Sequence, residues 1–182
     1  MAKLAATTYG DALFQLALEE SKIDALYDEV LVVLKAFEDN SELNKLLNHP
    51  KIDKEEKEKF LENVFGNFVS KNLTGFLMIM VSKDRQQNIV EALYYFCDKV
   101  LEYKKIGIAF VTTATPLTDV QKENVVTKLL ATTKYKDFQM HYDVDSSIIG
   151  GMVIRIGDRV VDSSIKTKLD ELAKQLKKIQ LV

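Results

Sequence analysis

The sequence predicts an α+β protein: an N-terminal six-helix bundle over residues 1–105, then a small α/β domain over 106–182 with a β-hairpin and a C-terminal helix. Two textures predict it. Up to Lys105 the only breakers are Gly10, Gly66, Gly75 and Pro50, and apolar residues recur at spacings of three and four, the repeat of an amphipathic helix. After "YKKIG" come a β-branched run, an alternating strand, and Gly157-Asp158 between two strand-like segments, so period two and tight turns take over. With 47% hydrophobic residues in 182, the chain can bury a core in each part.

A first helix over about 4–19 aligns Tyr9, Leu13, Leu16 and Glu20, with Phe14 and Leu18 on a second stripe. Ser21 is placed to cap a second helix that repeats Ile23, Leu26, Val30, Leu34 and Phe37. "NSELNKLLNHP" reads as a short third helix stopped before Pro50, because the residue before proline is pushed out of the helical region. In "DKEEKEKFLENVFG", Asp53 can cap a fourth helix, and its charges alternate in sign as on a solvated face. The fifth, "KNLTGFLMIMVSK", has six apolar residues in a row from Phe76 to Val81, so it sits at the centre of the bundle or lends a face to something else. The sixth, over about 86–104, buries Ile89, Leu93, Phe96 and Val100.

"IAFVTTAT" is a strand ended by Pro116, Asp119 starts a helix to about Leu130, and "FQMHYDV" is a second strand. In "IIGGMVIRIGDRVVDSS", Met152, Ile154 and Ile156 face one way and Val153 and Arg155 the other. A type II′ turn at Gly157-Asp158 sets Ile154 opposite Val161 and Arg155 opposite Val160. The final helix opens at Asp162-Ser163-Ser164 and aligns Ile165, Leu169, Leu172, Leu176 and Ile179. Lysines 166, 168, 174, 177 and 178 give it a basic face, suited to an acidic partner or to solvent.

Composition excludes several function classes. A formal charge of −2 gives no overall pull toward nucleic acid, and no apolar run reaches the roughly 18 residues of a membrane span. The start at "MAKLAATTYGDALF" lacks the pattern of a signal peptide and leans bacterial. Cys97, the single cysteine, reads as a small core residue. His49 and His141 have no second ligand nearby in sequence, so no metal site is predicted. No catalytic residues are predicted either, since no serine stands in a nucleophile motif and no triad can be assembled.

Gly150-Gly151 raise the question of a phosphate cradle, which needs glycine amides leading into a helix with Lys and Ser/Thr following. Here they lead into a strand with Met152 and Val153 next. The structural reading is that they permit positive φ or a close backbone approach, letting Ile148 and Ile149 tuck inward.

"DSSIIGGMVIRIGDRVVDSSIKTKLDELAKQL" resembles the C-terminal signature of the δ subunit of F-type ATP synthases, the bacterial counterpart of the mitochondrial oligomycin-sensitivity-conferring protein. The matching features are Gly150, Gly151, Arg155, Gly157, Asp158 and Asp162, then Ser164 and the leucine-spaced helix. "AATTYGDALFQLA" is similar to the family's opening helix through Tyr9, Ala12, Leu13 and Phe14. Two positions depart from the pattern. Gly10 stands where alanine is usual, which loosens a helix by up to about 1 kcal/mol, and Ser163 replaces a glycine in the turn before the last helix.

The resemblance implies a non-catalytic peripheral-stalk (stator) subunit serving proton-driven ATP synthesis, without cofactor, metal, nucleic acid or direct membrane insertion, in single copy at the cytoplasmic face of the bacterial membrane. It implies that 1–105 binds N-terminal helices of the α subunits in a groove between the first and fifth helices, for which Tyr9, Leu13, Leu16, Phe76 and Met80 are the candidate lining. It implies that 106–182 takes C-terminal helices of the b subunits, with the C-terminal motif shaping that domain. Holding against torque calls for nanomolar attachment, about −12 kcal/mol.

Overall fold

The computed structural model describes residues 2–179, in the order α1 (Ala2–Glu19), α2 (Ile23–Asp39), α3 (Ser41–Leu47), α4 (Lys54–Phe65), α5 (Lys71–Ser82), α6 (Ile89–Lys104), β1 (Ile106–Thr113), α7 (Asp119–Thr132), β2 (Asp137–Val144), β3 (Met152–Ile156), β4 (Arg159–Asp162) and α8 (Ile165–Ile179). The architecture is α+β, and the chain divides between Leu101 and Glu102 into two compact units.

In the first unit α1 to α6 contribute to one core, in which Val30, Val33, Leu47, Leu61, Leu73, Leu77, Met80, Leu93 and Phe96 are fully enclosed. The line of α1 that enters it is Ala6, Gly10, Leu13 and Ala17, a row of mostly small residues that lets neighbouring helices approach closely. Cys97 belongs to this core, and burial pushes its thiol up to about 12, which leaves it uncharged and unreactive at neutral pH.

Ser21 does not cap α2. It holds φ +54°, with Lys22 N donating to Ala17 O at 3.0 Å and Ser21 N to Leu18 O at 3.1 Å, the hydrogen-bond pair of a Schellman ending. A residue closing α1 in the left-handed region cannot take the extended conformation of an N-cap, and α2 starts after Lys22 without a side-chain cap. Asp84, at φ +57°, ends α5 the same way through Arg85 N to Met80 O at 2.8 Å. The charged run of α4 is not wholly solvated: Lys57 is buried, its aliphatic stem covering apolar surface as lysine stems do.

In the second unit the sheet order is β2-β1-β3-β4, with β1 parallel to β2 and β3 antiparallel to both β1 and β4. A parallel neighbour needs a crossover, and α7 supplies it, started by a capping box in which Thr118 and Gln121 bond reciprocally. Val125 and Leu129 of α7 pack on Ala109, Val111 and Phe138, with Met140, Met152, Ile154 and Ile156 around them. The hairpin register is as the turn dictates, Ile154 opposite Val161 and Arg155 opposite Val160. Gly157 has φ +54° and Asp158 has no positive φ, as a type II′ turn requires.

The row on α8 has no cover: Ile165, Leu169, Leu172 and Leu176 are 43, 51, 54 and 63% exposed. The side chains of Lys178 and Ile179, assigned to the same helix from sequence, lie outside the described residues.

Candidate docking surfaces

The α1–α5 seam has a floor and a rim. Leu13, Phe76 and Met80 are 2, 8 and 0% exposed and form the floor, inside the core. Tyr9 stands edge-on to Phe76, ring centroids 6.5 Å apart at 76°. Leu16 is half-buried and shares a small hollow with Glu20, Ser70 and Asn72. Of the five candidate residues, Tyr9 and Leu16 therefore reach the surface.

One further position completes the rim, missed by sequence reading. Ile79 is 53% exposed, on the side of α5 that carries Asn72 and Phe76 at helical spacing. Gly75, where a Cβ would meet nothing within 4 Å, opens instead on a hollow shared with Glu62, Asn63 and Met78, toward α4. The six-residue apolar run held the signal, since one helix stripe cannot absorb it. At the end of the seam Glu20 accepts from Lys22 Nζ at 3.0 Å, and this bond, with a second from Asn72, holds its carboxyl below the ordinary 4.5.

On its other side α1 lies against α6. A Cβ on Gly10 would stand 2.5 Å from Tyr95 Cδ1 and 3.0 Å from Ala92 O. Tyr95 is anchored there, its hydroxyl donating to Asp11 Oδ1 at 3.1 Å while Lys99 lies 5.7 Å over its ring.

In the second unit the paired glycines have separate jobs. Gly151 takes φ +79°, and a Cβ there would come within 2.4 Å of Ser163 O, so both positive φ and close backbone approach apply. Gly150 has no positive φ and lies against the tip of Ile165. Ile148 is buried, but Ile149 does not tuck inward: it is exposed at φ +67°, ψ −41°, with Gly150 N donating to Ile148 O at 2.8 Å. That is a γ-turn, a conformation that strains a β-branched residue and turns its side chain away from the core.

A clasp fixes the start of α8. Ser163 Oγ and N both donate to Met152 O, at 2.9 and 3.0 Å, so the serine at this departure from the family pattern fits an ordinary backbone and adds a bond. Asp162 accepts from Ser164 N at 2.8 Å and Thr167 Oγ1 at 2.7 Å, and Ser164 Oγ accepts from Thr167 N at 3.2 Å. The Ser164 N–H holds the Asp162 carboxyl below its ordinary 3.8, with the Thr167 hydroxyl second. A carboxylate depressed in the folded state stabilises above its unfolded pKa and loses that contribution as pH falls through the folded one. Amide exchange at Ser164 and Thr167 is therefore expected to speed up, relative to β1 amides, only below about pH 4; protection that stays flat from pH 6 to 3 would contradict the clasp.

On the sheet face opposite α7, Phe110 stacks on His141, centroids 4.8 Å apart at 18°, and takes Arg155 over its other neighbouring strand at 4.7 Å. These three occupy one row across β2, β1 and β3. Among the described residues no group of three His, Cys, Asp or Glu could hold a metal ion, and no helix is long and apolar enough to cross a membrane.

Residues 5–176 match the model of the family described as the ATP synthase delta (OSCP) subunit. The "ATP synthase subunit delta" of Lachnoclostridium phytofermentans is 54% identical over 181 residues, covering 100% of both chains. That of Brevibacillus brevis is 32% identical over 167 residues, covering 92% of this chain and 95% of its own. A chain of the Toxoplasma gondii mitochondrial ATP synthase hexamer shares the fold, with TM-score 0.72 at 18% identity over 94% of this chain and 96% of that one. The chain belongs to the ATP synthase delta (OSCP) subunit family, a non-catalytic stalk subunit of F-type ATP synthases.

Proposed function

We propose that this subunit joins the catalytic head to the peripheral stalk and so keeps the head from turning with the central shaft. The α1–α5 seam holds an N-terminal helix of an α subunit at the head, and the second unit holds C-terminal helices of the b subunits, in single copy at the cytoplasmic face of the membrane. The observation that carries the first contact is the apolar surplus of α5. Exposed Ile79 on α5 joins Tyr9 and Leu16 of α1 over a buried floor of Leu13, Phe76 and Met80, which is how a groove offers anchors to an amphipathic helix.

Titration of the full chain with an α N-terminal peptide tests it. Ile79→Asp is expected to weaken binding at least tenfold, since it puts a charge into the contact, while leaving the melting temperature unchanged because Ile79 is outside the core. Equal affinity of Ile79→Asp and wild type would exclude the seam.

A further inference from the structure

The row on α8 is unusual in three ways. It is rigidly presented, because the Asp162–Ser164–Thr167 clasp and the Ile165 N to Gly150 O bond at 2.9 Å fix the first turn. It is uncovered, with Leu169, Leu172 and Leu176 more than half exposed. It is also narrow: Ile165, Leu169, Leu172 and Leu176 are spaced four, three, four, the a/d seam of a coiled coil and not the broad apolar half of a helix that lies in a lipid interface.

Taking Leu169 and Leu176 as a and Ile165 and Leu172 as d, the flanking e and g positions are Lys166, Lys168, Ala173 and Gln175. The carboxylates of α8, Asp170 and Glu171, fall away from the seam. In paired helices e and g residues select the partner by opposite charge. A second copy of α8 would bring the same cationic flank, so self-pairing gains nothing there. We infer that α8 is a docking helix for one amphipathic helix of another chain, whose apolar a/d row is flanked by Glu or Asp at e and g. This rests on the reading that the second unit holds a stalk helix, and names the face and the charge pattern it requires.

Three probes are titrated against the full chain: a synthetic helix with a Leu/Ile a/d row and Glu at e and g, the same helix with Lys at e and g, and the C-terminal segment of the b subunit. The expected result is binding of the Glu-flanked helix and the b segment but not the Lys-flanked helix. Leu169→Asp/Leu172→Asp should lower affinity about a hundredfold or more with unchanged circular dichroism, and Lys166→Glu/Lys168→Glu should exchange the preference between the two synthetic helices. A b segment that binds wild type and Leu169→Asp/Leu172→Asp equally overturns the inference and leaves the stalk reading intact. Binding of the Glu-flanked helix without the b segment does the reverse. Failure of both synthetic helices to bind overturns it, as does co-sedimentation through this row with phosphatidylglycerol vesicles in place of either peptide, or self-association abolished by Leu169→Asp/Leu172→Asp.

Discussion

Gly151→Ala is expected to destabilise the second unit by about 3 kcal/mol or more. Two separate terms add. An L-residue in the left-handed region costs roughly 1–2 kcal/mol, and Gly151 sits at φ +79°. The new methyl also meets Ser163 O at 2.4 Å and Ser164 Cα at 3.2 Å; these are backbone atoms held by the Ser163–Met152 bonds, so relief means moving β4 off β3, and overpacking of this kind adds about 1–3 kcal/mol. Two neighbouring glycines are internal controls. Gly157 shares positive φ but has open space around it, so Gly157→Ala should cost only the conformational part, about 1–2 kcal/mol. Gly150 has no positive φ and meets only the flexible end of Ile165, so Gly150→Ala should be milder still. Native-state hydrogen exchange in β1 and β3 reads these effects without requiring the two units to unfold together. Equal loss at Gly151 and Gly157 would show that the close approach of β4 is unimportant.

The elements of this fold were legible wherever periodicity alone decides them. The β3–β4 register followed from Gly157-Asp158, because a two-residue turn permits one pairing. Two of the errors fall where a residue takes an uncommon φ. Ser21 had the composition of a cap and the job of a helix ending, and Ile149 had the composition of a core residue and the backbone of a γ-turn. Neither conformation has a signature in residue type.

The candidate surfaces were legible in a different way. Sequence shows which residues are apolar but not which of them the core uses, and two of the candidates, Leu13 of α1 and Met80 of α5, are enclosed in the unit's own core. A docking residue is one left over after the core is satisfied, such as Ile79, and that remainder appears only when the neighbouring helices are in place. The same holds for α8, whose apolar row showed that something must cover it, while its exposure in the folded unit shows that nothing within the described residues does so.

Gly10→Val is expected to destabilise the first unit by about 3 kcal/mol, although helix propensity argues for the opposite sign. Valine is better than glycine in a helix interior by a few tenths of a kcal/mol and alanine by about 1, which makes Gly10 look like a weak point in α1. The packing reverses this. The first added carbon lies 2.5 Å from a ring carbon of Tyr95 and 3.0 Å from a backbone carbonyl of α6, and Tyr95 cannot swing aside without releasing Asp11. Alanine should therefore come out at about 1 kcal/mol destabilising after its propensity gain, and valine, with two further methyls between the helices, near the top of the overpacking range. Urea unfolding followed by far-ultraviolet circular dichroism measures both, with Ala12→Val, on the exposed side of the same helix, as a control near half a kcal/mol. Trimming the neighbour should restore part of the loss: Tyr95→Leu combined with Gly10→Val is expected to be at least 1 kcal/mol more stable than additivity allows. A Gly10→Ala protein more stable than wild type would mean that α1 and α6 part easily. If they do not, then forcing them apart also shifts Tyr9 and Leu16 on the far side of α1, and Gly10→Val should weaken the α-peptide contact even at temperatures where the unit remains folded.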